Sequence, residues 1–307
     1  MRVLNAEIGE VTGLAFSPDG RALAAAVEDR GVFLWNLETT EPPLQLDPSA
    51  RRKTQTLYFT PDNRAVGWAG STGWKVFDRS RKRIAQLSLE AGGNLTWMAQ
   101  TPDGSRVVSD HSFPESSLIA WKSVDGGGWE QEWSVSKADL GFHSTTVCPT
   151  GRRVATVARS ATGTHRWTTP FRLQVRSGVS GRVEASCAYS HSNYPGQLLF
   201  SPCGERLVGV HDMTLMIWPV PDLGEPKLVR NDSRQHFTMA TFHPSGQYLF
   251  ASSNDTTVHI FDTENWDRVA RYTWKLGRLR SIAVSPDGTL AAAGGDNGEV
   301  LVWDVEL

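Results

Sequence analysis

Little in this chain points to covalent staples, membranes or polyanions. Its 307 residues include only three cysteines, Cys148, Cys187 and Cys203. They form no CxxC pair and one is left unmatched, so the sequence offers neither a disulfide framework nor a zinc site. No apolar run approaches the ~18 residues of a membrane span. The segment Met1-Arg2-Val3-Leu4-Asn5-Ala6-Glu7 also lacks the apolar core of a signal peptide. A soluble, cytoplasmic protein is expected. Neither charge is in excess, with 31 basic against 33 acidic residues and a net charge of -2. A nucleic-acid binder ordinarily shows a basic surplus, so neither nucleic acid nor membrane is an expected partner. The densest basic run, Arg79-Ser80-Arg81-Lys82-Arg83, reads as a solvated hairpin end. There is no HExxH, no GxSxG and no phosphate-cradling glycine loop, and the eight histidines do not pair at ligand spacing. No metal and no cofactor are expected.

What is present is a repeat. Ser17-Pro18-Asp19-Gly20 recurs as Thr60-Pro61-Asp62-Asn63, Thr101-Pro102-Asp103-Gly104, Pro149-Thr150-Gly151, Ser201-Pro202-Cys203-Gly204, His243-Pro244-Ser245-Gly246 and Ser285-Pro286-Asp287-Gly288. The seven prolines stand 43, 41, 47, 53, 42 and 42 residues apart. Proline presets φ for the second position of a type I turn, and glycine takes the positive φ that follows in a bulged hairpin. Asn63 tolerates the same conformation. A short apolar stretch precedes each turn and a second follows it. A third run ends in an aromatic at Trp35, Phe77, Trp121, Trp218, Phe261 and Trp303, with Val175 in that place in the fourth unit. A weaker fourth run follows, as in Arg83–Leu87. Four strands per unit without helical periodicity describe four-stranded units.

On these residues, and on the dipeptide Trp303-Asp304, the chain resembles the WD40-repeat family over essentially its whole length. The resemblance implies an all-β fold, a seven-bladed WD40-like β-propeller of four-stranded blades in a single domain spanning residues 1–307. The last unit supplies only three strands. The stretch Arg2–Ile8 is therefore expected to close the last blade as its outer strand, which hides an otherwise exposed edge. Four tryptophans, Trp35, Trp121, Trp218 and Trp303, are expected to wedge between neighbouring blades. The family's buried His–Ser/Thr–Asp–Trp sets are incomplete here: blade 5 has His191, Asp212 and Trp218, and Asp29 and Asp255 stand alone.

Departures from the repeat nominate a binding surface. Long loops are expected at Ser109–Ser116 and at Arg159–Pro170, and an aromatic connection at Tyr189–Pro195. Five residues before each turn proline stand Gly13, Thr56, Trp97, Ser144, Gln197, Met239 and Ser281. Trp97 is the outlier among them. The candidate protein-binding residues are Trp97, Phe113, Phe142, His143, His165, Arg166, Trp167, Tyr194 and Arg280, placed on one face of the propeller. Aromatic and arginine side chains are over-represented among interface hot spots. The expected function is a non-enzymatic protein- or peptide-interaction module or assembly scaffold. The alternative is a propeller enzyme with hydrolytic or ligand-transforming chemistry at the channel mouth, using His143, His191 or Asp212. A third reading places partners on the opposite face, near Arg81 and Arg83.

Overall fold

Each of the seven turns closes as its sequence requires. In the computed structural model, Gly20, Asn63, Gly104, Gly151, Gly204, Gly246 and Gly288 all have positive φ, between 60° and 77°. At the first turn the Ser17 hydroxyl donates to Asp19 Oδ1 at 2.5 Å and accepts from the Ala22 amide at 2.8 Å. Thr60 with Asp62 and Ser285 with Asp287 repeat that arrangement. The His243 turn inverts it, with Ser245 Oγ 2.8 Å from His243 Nδ1. At six of the turns a polar side chain thus satisfies a backbone group that the ladder leaves over.

The structure describes residues 1–5, 9–48, 56–70, 73–87, 94–112, 116–124, 128–136, 140–160, 171–189 and 194–306. Among them there is no helix. The strands form seven four-stranded sheets, hydrogen-bonded in the order given. Blade 1 comprises Val11–Phe16, Ala22–Val27, Gly31–Asn36 and Leu44–Asp47. Blade 2 comprises Leu57–Phe59, Ala65–Gly70, Gly73–Asp78 and Arg83–Leu87. Blade 3 has Asn94–Gln100, Arg106–Ser112, Ser117–Val124 and Gly128–Ser136. Blade 4 has Leu140–Val147, Arg153–Ser160, Phe171–Ser177 and Val183–Tyr189. Blade 5 follows with Gln197–Phe200, Arg206–His211, Thr214–Pro219 and Lys227–Arg230. Blade 6 has Phe237–Phe242, Tyr248–Ser253, Thr257–Asp262 and Arg268–Thr273. Blade 7 takes Leu279–Val284, Leu290–Gly295 and Glu299–Asp304, and its fourth strand is Arg2–Asn5. The fold is a seven-bladed β-propeller, and the N-terminal strand closes its last blade, with Arg2 opposite Val302 and Asn5 opposite Glu299.

Contacts gather the chain into two sets. Met1–Leu87, Asp212–Thr214 and Arg230–Leu307 carry blades 6, 7, 1 and 2. In that set Trp35 packs with Leu4 and Val302 of blade 7, and Trp303 packs with Phe250 and Ile260 of blade 6. Ser88–His211 and Leu215–Val229 carry blades 3 to 5. There Trp218 packs against Leu173 and Tyr189 of blade 4, while Trp133 and Phe142 join blades 3 and 4. The four signature tryptophans are 2–6% exposed, as a wedge between sheets demands. Burying such a side chain stabilises the fold by roughly 2–3 kcal/mol.

Two sequence expectations are corrected here. Ser109 to Ser112 are not loop but the end of a buried strand, Arg106–Ser112. The Trp121 indole donates to Ser109 Oγ at 2.9 Å, and Ser109 Oγ lies 2.8 Å from His111 Nε2. These polar groups satisfy one another, so a polar stretch can occupy the core. In blade 4, the residue at the tryptophan position is Arg176, not Val175. Val154 opposes Arg176 as Leu23 opposes Trp35 and Ala291 opposes Trp303. A shift of one residue exchanges the two faces of a strand.

Candidate functional site

The first strands share a device that sequence spacing had marked without explaining. Register breaks after Val11, Leu95, His143, Phe237 and Leu279, each a β-bulge near the same level of its blade. Trp97 follows the bulge of blade 3, opposite Asp110, and is half-buried. Arg280 is the bulged residue of blade 7 and binds Glu10, with Nη2 3.0 Å from Oε1. Bulges re-aim side chains, and they cluster beside functional sites.

Blade 4 makes the most of its bulge. Ser144, the residue after His143, has φ +52° and is 4% exposed. Its hydroxyl donates a short hydrogen bond to the carbonyl of Pro195, in the segment leading into blade 5. That clamp holds Tyr194 over His143, with the two rings parallel within 2° and their centroids 4.3 Å apart. Phe171 meets both rings edge-on, at 6.2 Å from His143 and 6.1 Å from Tyr194. The Arg159 guanidinium lies 5.1 Å above the Phe171 ring. Burial, reinforced by the positive charge of Arg159, holds the His143 pKa below its ordinary value. The imidazole is therefore neutral at physiological pH and serves as a stacking surface rather than a charge. Tyr194 is 41% exposed, while Phe171 beneath it is buried.

The structure thus brings together His143 and Tyr194 from the sequence-based candidates. Phe142 is adjacent in sequence but turns to the other face, where it is 4% exposed against blade 3. Phe113, His165, Arg166 and Trp167 lie outside the described residues, as does His191. Arg159 and Phe171 were not among the candidates. Their pairing across the register Arg159–Phe171 follows from strand boundaries that the sequence placed too loosely. Between blades 4 and 5, Tyr189 Oη and His211 Nδ1 form a buried polar pair at 2.9 Å. Asp212 is exposed in the turn that follows, with φ +48°.

Two other features are chemically quieter. A cleft of about 370 Å³ beside blade 1 is lined in part by Asp19, Arg21, Leu34, Trp35, Glu38 and Arg79. Asp19, Arg21, Glu38 and Arg79 already have partners. Arg21 is 3.5 Å from Glu38, and Arg79 donates to the Asn63 carbonyl at 2.9 Å. The run at Arg79–Arg83 forms a hairpin end in which Asp78 accepts from the Ser80 and Arg81 amides. No group of three His, Cys, Asp or Glu side chains among the described residues is placed to hold a metal.

A family model described as WD domain, G-beta repeat matches residues 1–36, 233–262 and 269–304. Those three segments are WD40 repeats. Similar proteins include WD repeat-containing protein slp1 of Schizosaccharomyces pombe, 24% identical over 177 residues, covering 52% of this chain and 34% of that protein. Ribosome biogenesis protein ERB1 of Coccidioides immitis is 24% identical over 96% of this chain and 35% of its own length. Guanine nucleotide-binding protein subunit beta of Oryza sativa is 21% identical over 100% of this chain and 71% of its own. The chain therefore spans about a third of the first two relatives. The chain keeps the recurring turns and buried aromatics, and it departs from them most in blade 4.

Proposed function

We propose that this protein is a non-enzymatic interaction module that binds a protein or peptide through the end of blade 4 carrying His143, Phe171 and Tyr194. One observation carries the reading. An exposed tyrosine is clamped flat on a neutral histidine over a buried phenylalanine, beside an arginine stacked on the same ring. A rigid aromatic platform offers contact area at low conformational cost, and Tyr and Arg are enriched among interface hot spots. Relatives named as a G-protein subunit and a biogenesis factor agree with an assembly role. The three cysteines are unpaired, which suits a reducing, cytoplasmic setting. Trp97 is a secondary anchor in this reading.

The test replaces Tyr194 with the photoreactive residue benzoylphenylalanine in the full-length protein and irradiates it in lysate. A discrete cross-linked partner is expected from position 194. The same label at Leu44, an exposed residue on the fourth strand of blade 1, gives none. No cross-link at position 194, or the same product from both positions, would overturn the assignment.

A further inference from the structure

The near-neutral net charge conceals one strongly basic blade. Residues 140–189 contain seven arginines (Arg152, Arg153, Arg159, Arg166, Arg172, Arg176 and Arg182), no lysine and a single acidic residue, Glu184. The rest of the chain is left with 24 basic against 32 acidic residues. Within blade 4 only Arg153 has a carboxylate partner among the described residues, Glu184 at 3.1 Å. Arg176 is spent internally, on the Gly181 carbonyl and Gln174.

Two of the remaining arginines stand at the Tyr194 end of the blade. Arg159 opposes Phe171 and lies on its ring. Arg172, the next residue along the same strand, opposes Ala158 on the other face. Its only hydrogen bond among the described residues is from Nε to Ser186 Oγ at 2.9 Å, and its side chain is exposed. Neither has a carboxylate partner among the described residues. A guanidinium stacked on an aromatic ring keeps its in-plane N–H donors free for a planar, bidentate acceptor. Arg152 and Arg182, also exposed, mark the opposite end of the same blade.

We infer that the partner recognised at Tyr194 is an acidic segment, a stretch of protein whose Asp or Glu carboxylates are taken by Arg159 and Arg172 while its neighbouring side chains pack on Tyr194. This deepens the proposed function and rests on it. A carboxylate peptide fits better than a nucleic acid because, among the described residues at this end of the blade, the arginines without a carboxylate are two, Arg159 on the platform and Arg172 on the other face of the strand. A polyanion would require a basic track.

The probe is a fluorescein-labelled dodecapeptide alternating Glu with Ala, read by fluorescence polarisation on the full-length protein at low ionic strength. Its Gln counterpart, a Ser-phosphorylated peptide of equal charge and an oligouridylate serve as comparisons. The Glu peptide is expected to bind, to weaken as salt is added, and to exceed the Gln peptide at least about tenfold. Arg159→Gln with Arg172→Gln should cost at least about tenfold in affinity, whereas Arg152→Gln with Arg182→Gln, an equal loss of charge at the other end, changes it by less than about twofold. Equal binding of the Gln peptide, equal effects of the two double variants, or tighter binding of the phosphopeptide or oligouridylate would overturn the inference. Cross-linking from position 194 separates the two levels. If it persists in the Arg159/Arg172 double variant while the Glu peptide fails to bind, only the acidic specificity falls. If it is absent in the wild-type background, the surface itself falls.

Discussion

The guanidinium of Arg176 lies 5.6 Å from the centroid of the Phe142 ring, at the position that tryptophan fills in four other blades. It is 5% exposed, donates to Gly181 O at 2.8 Å and to Gln174 Oε1 at 2.6 Å, and has no carboxylate partner among the described residues. Burial pulls its pKa below the usual arginine value. The cation is held by two neutral acceptors and a π face in place of an ion pair.

Arg176→Ala removes both hydrogen bonds and opens a cavity beside Phe142. A loss of roughly 2–4 kcal/mol in urea unfolding is expected. Arg176→Met keeps much of the packing and removes the buried charge, and so costs distinctly less. Equal losses for the two would mean that the hydrogen bonds, rather than the filling of the wedge, dominate.

Ser144 holds a left-handed conformation and carries the bond to Pro195. Ser144→Ala keeps the unfavourable φ and orphans a buried carbonyl, for an expected loss of about 1–3 kcal/mol. Ser144→Gly loses the same bond but occupies positive φ freely, so it is the milder change. Thermal denaturation of both variants checks the order.

Asp47, at the end of blade 1, is 2.8 Å from Lys75 of blade 2, with side chains 5% and 17% exposed. Lys75→Met removes the ammonium and leaves a buried carboxylate, at a cost of roughly 3 kcal/mol. Adding Asp47→Leu to that variant should recover most of the loss. A double-mutant cycle with no coupling would contradict the pairing.

His259 supplies the pH dependence. It is 1% exposed, its Nε2 sits 2.8 Å from Thr257 Oγ1, and Thr257 donates in turn to Asp255. Burial drives its pKa from 6.5 to about 4, with Asp255 opposing the shift and Arg268 and Arg271 adding to it. The folded state then binds fewer protons than the unfolded state between these values. Stability is fully present above pH 6.5 and falls as the pH drops towards 4, by up to about 3 kcal/mol. His259→Asn should flatten that slope. An unchanged slope in denaturant unfolding across the window would show that His259 is not its source.

The turns, the wedges and the closing strand were legible because each depends on a local rule. Proline followed by a positive-φ residue marks a turn at each repeat, and Trp35 and Trp303 recur at one place in the repeat, where they pack against the neighbouring sheet. Blade 4 was harder for the same reason. Its aromatic is missing, so only hydrogen-bond register shows that Arg176, and not Val175, faces blade 3. Ser109 and His111 read as loop because a polar stretch gives no sign of the indole that satisfies it. The site shows the same divide. Tyr194 and His143 could be nominated as aromatic departures from the repeat. Arg159 and Phe171 become neighbours only through cross-strand pairing, and the role of Ser144 depends on a backbone angle.

The central claim is that Tyr194, set on His143, is the anchor of a partner-binding surface. The most direct measurement is calorimetric titration of the partner identified by cross-linking against wild-type protein and Tyr194→Ala, with circular dichroism of both. The account predicts a loss of at least about tenfold in affinity with an unchanged spectrum. Wild-type affinity in the Tyr194→Ala variant would contradict it.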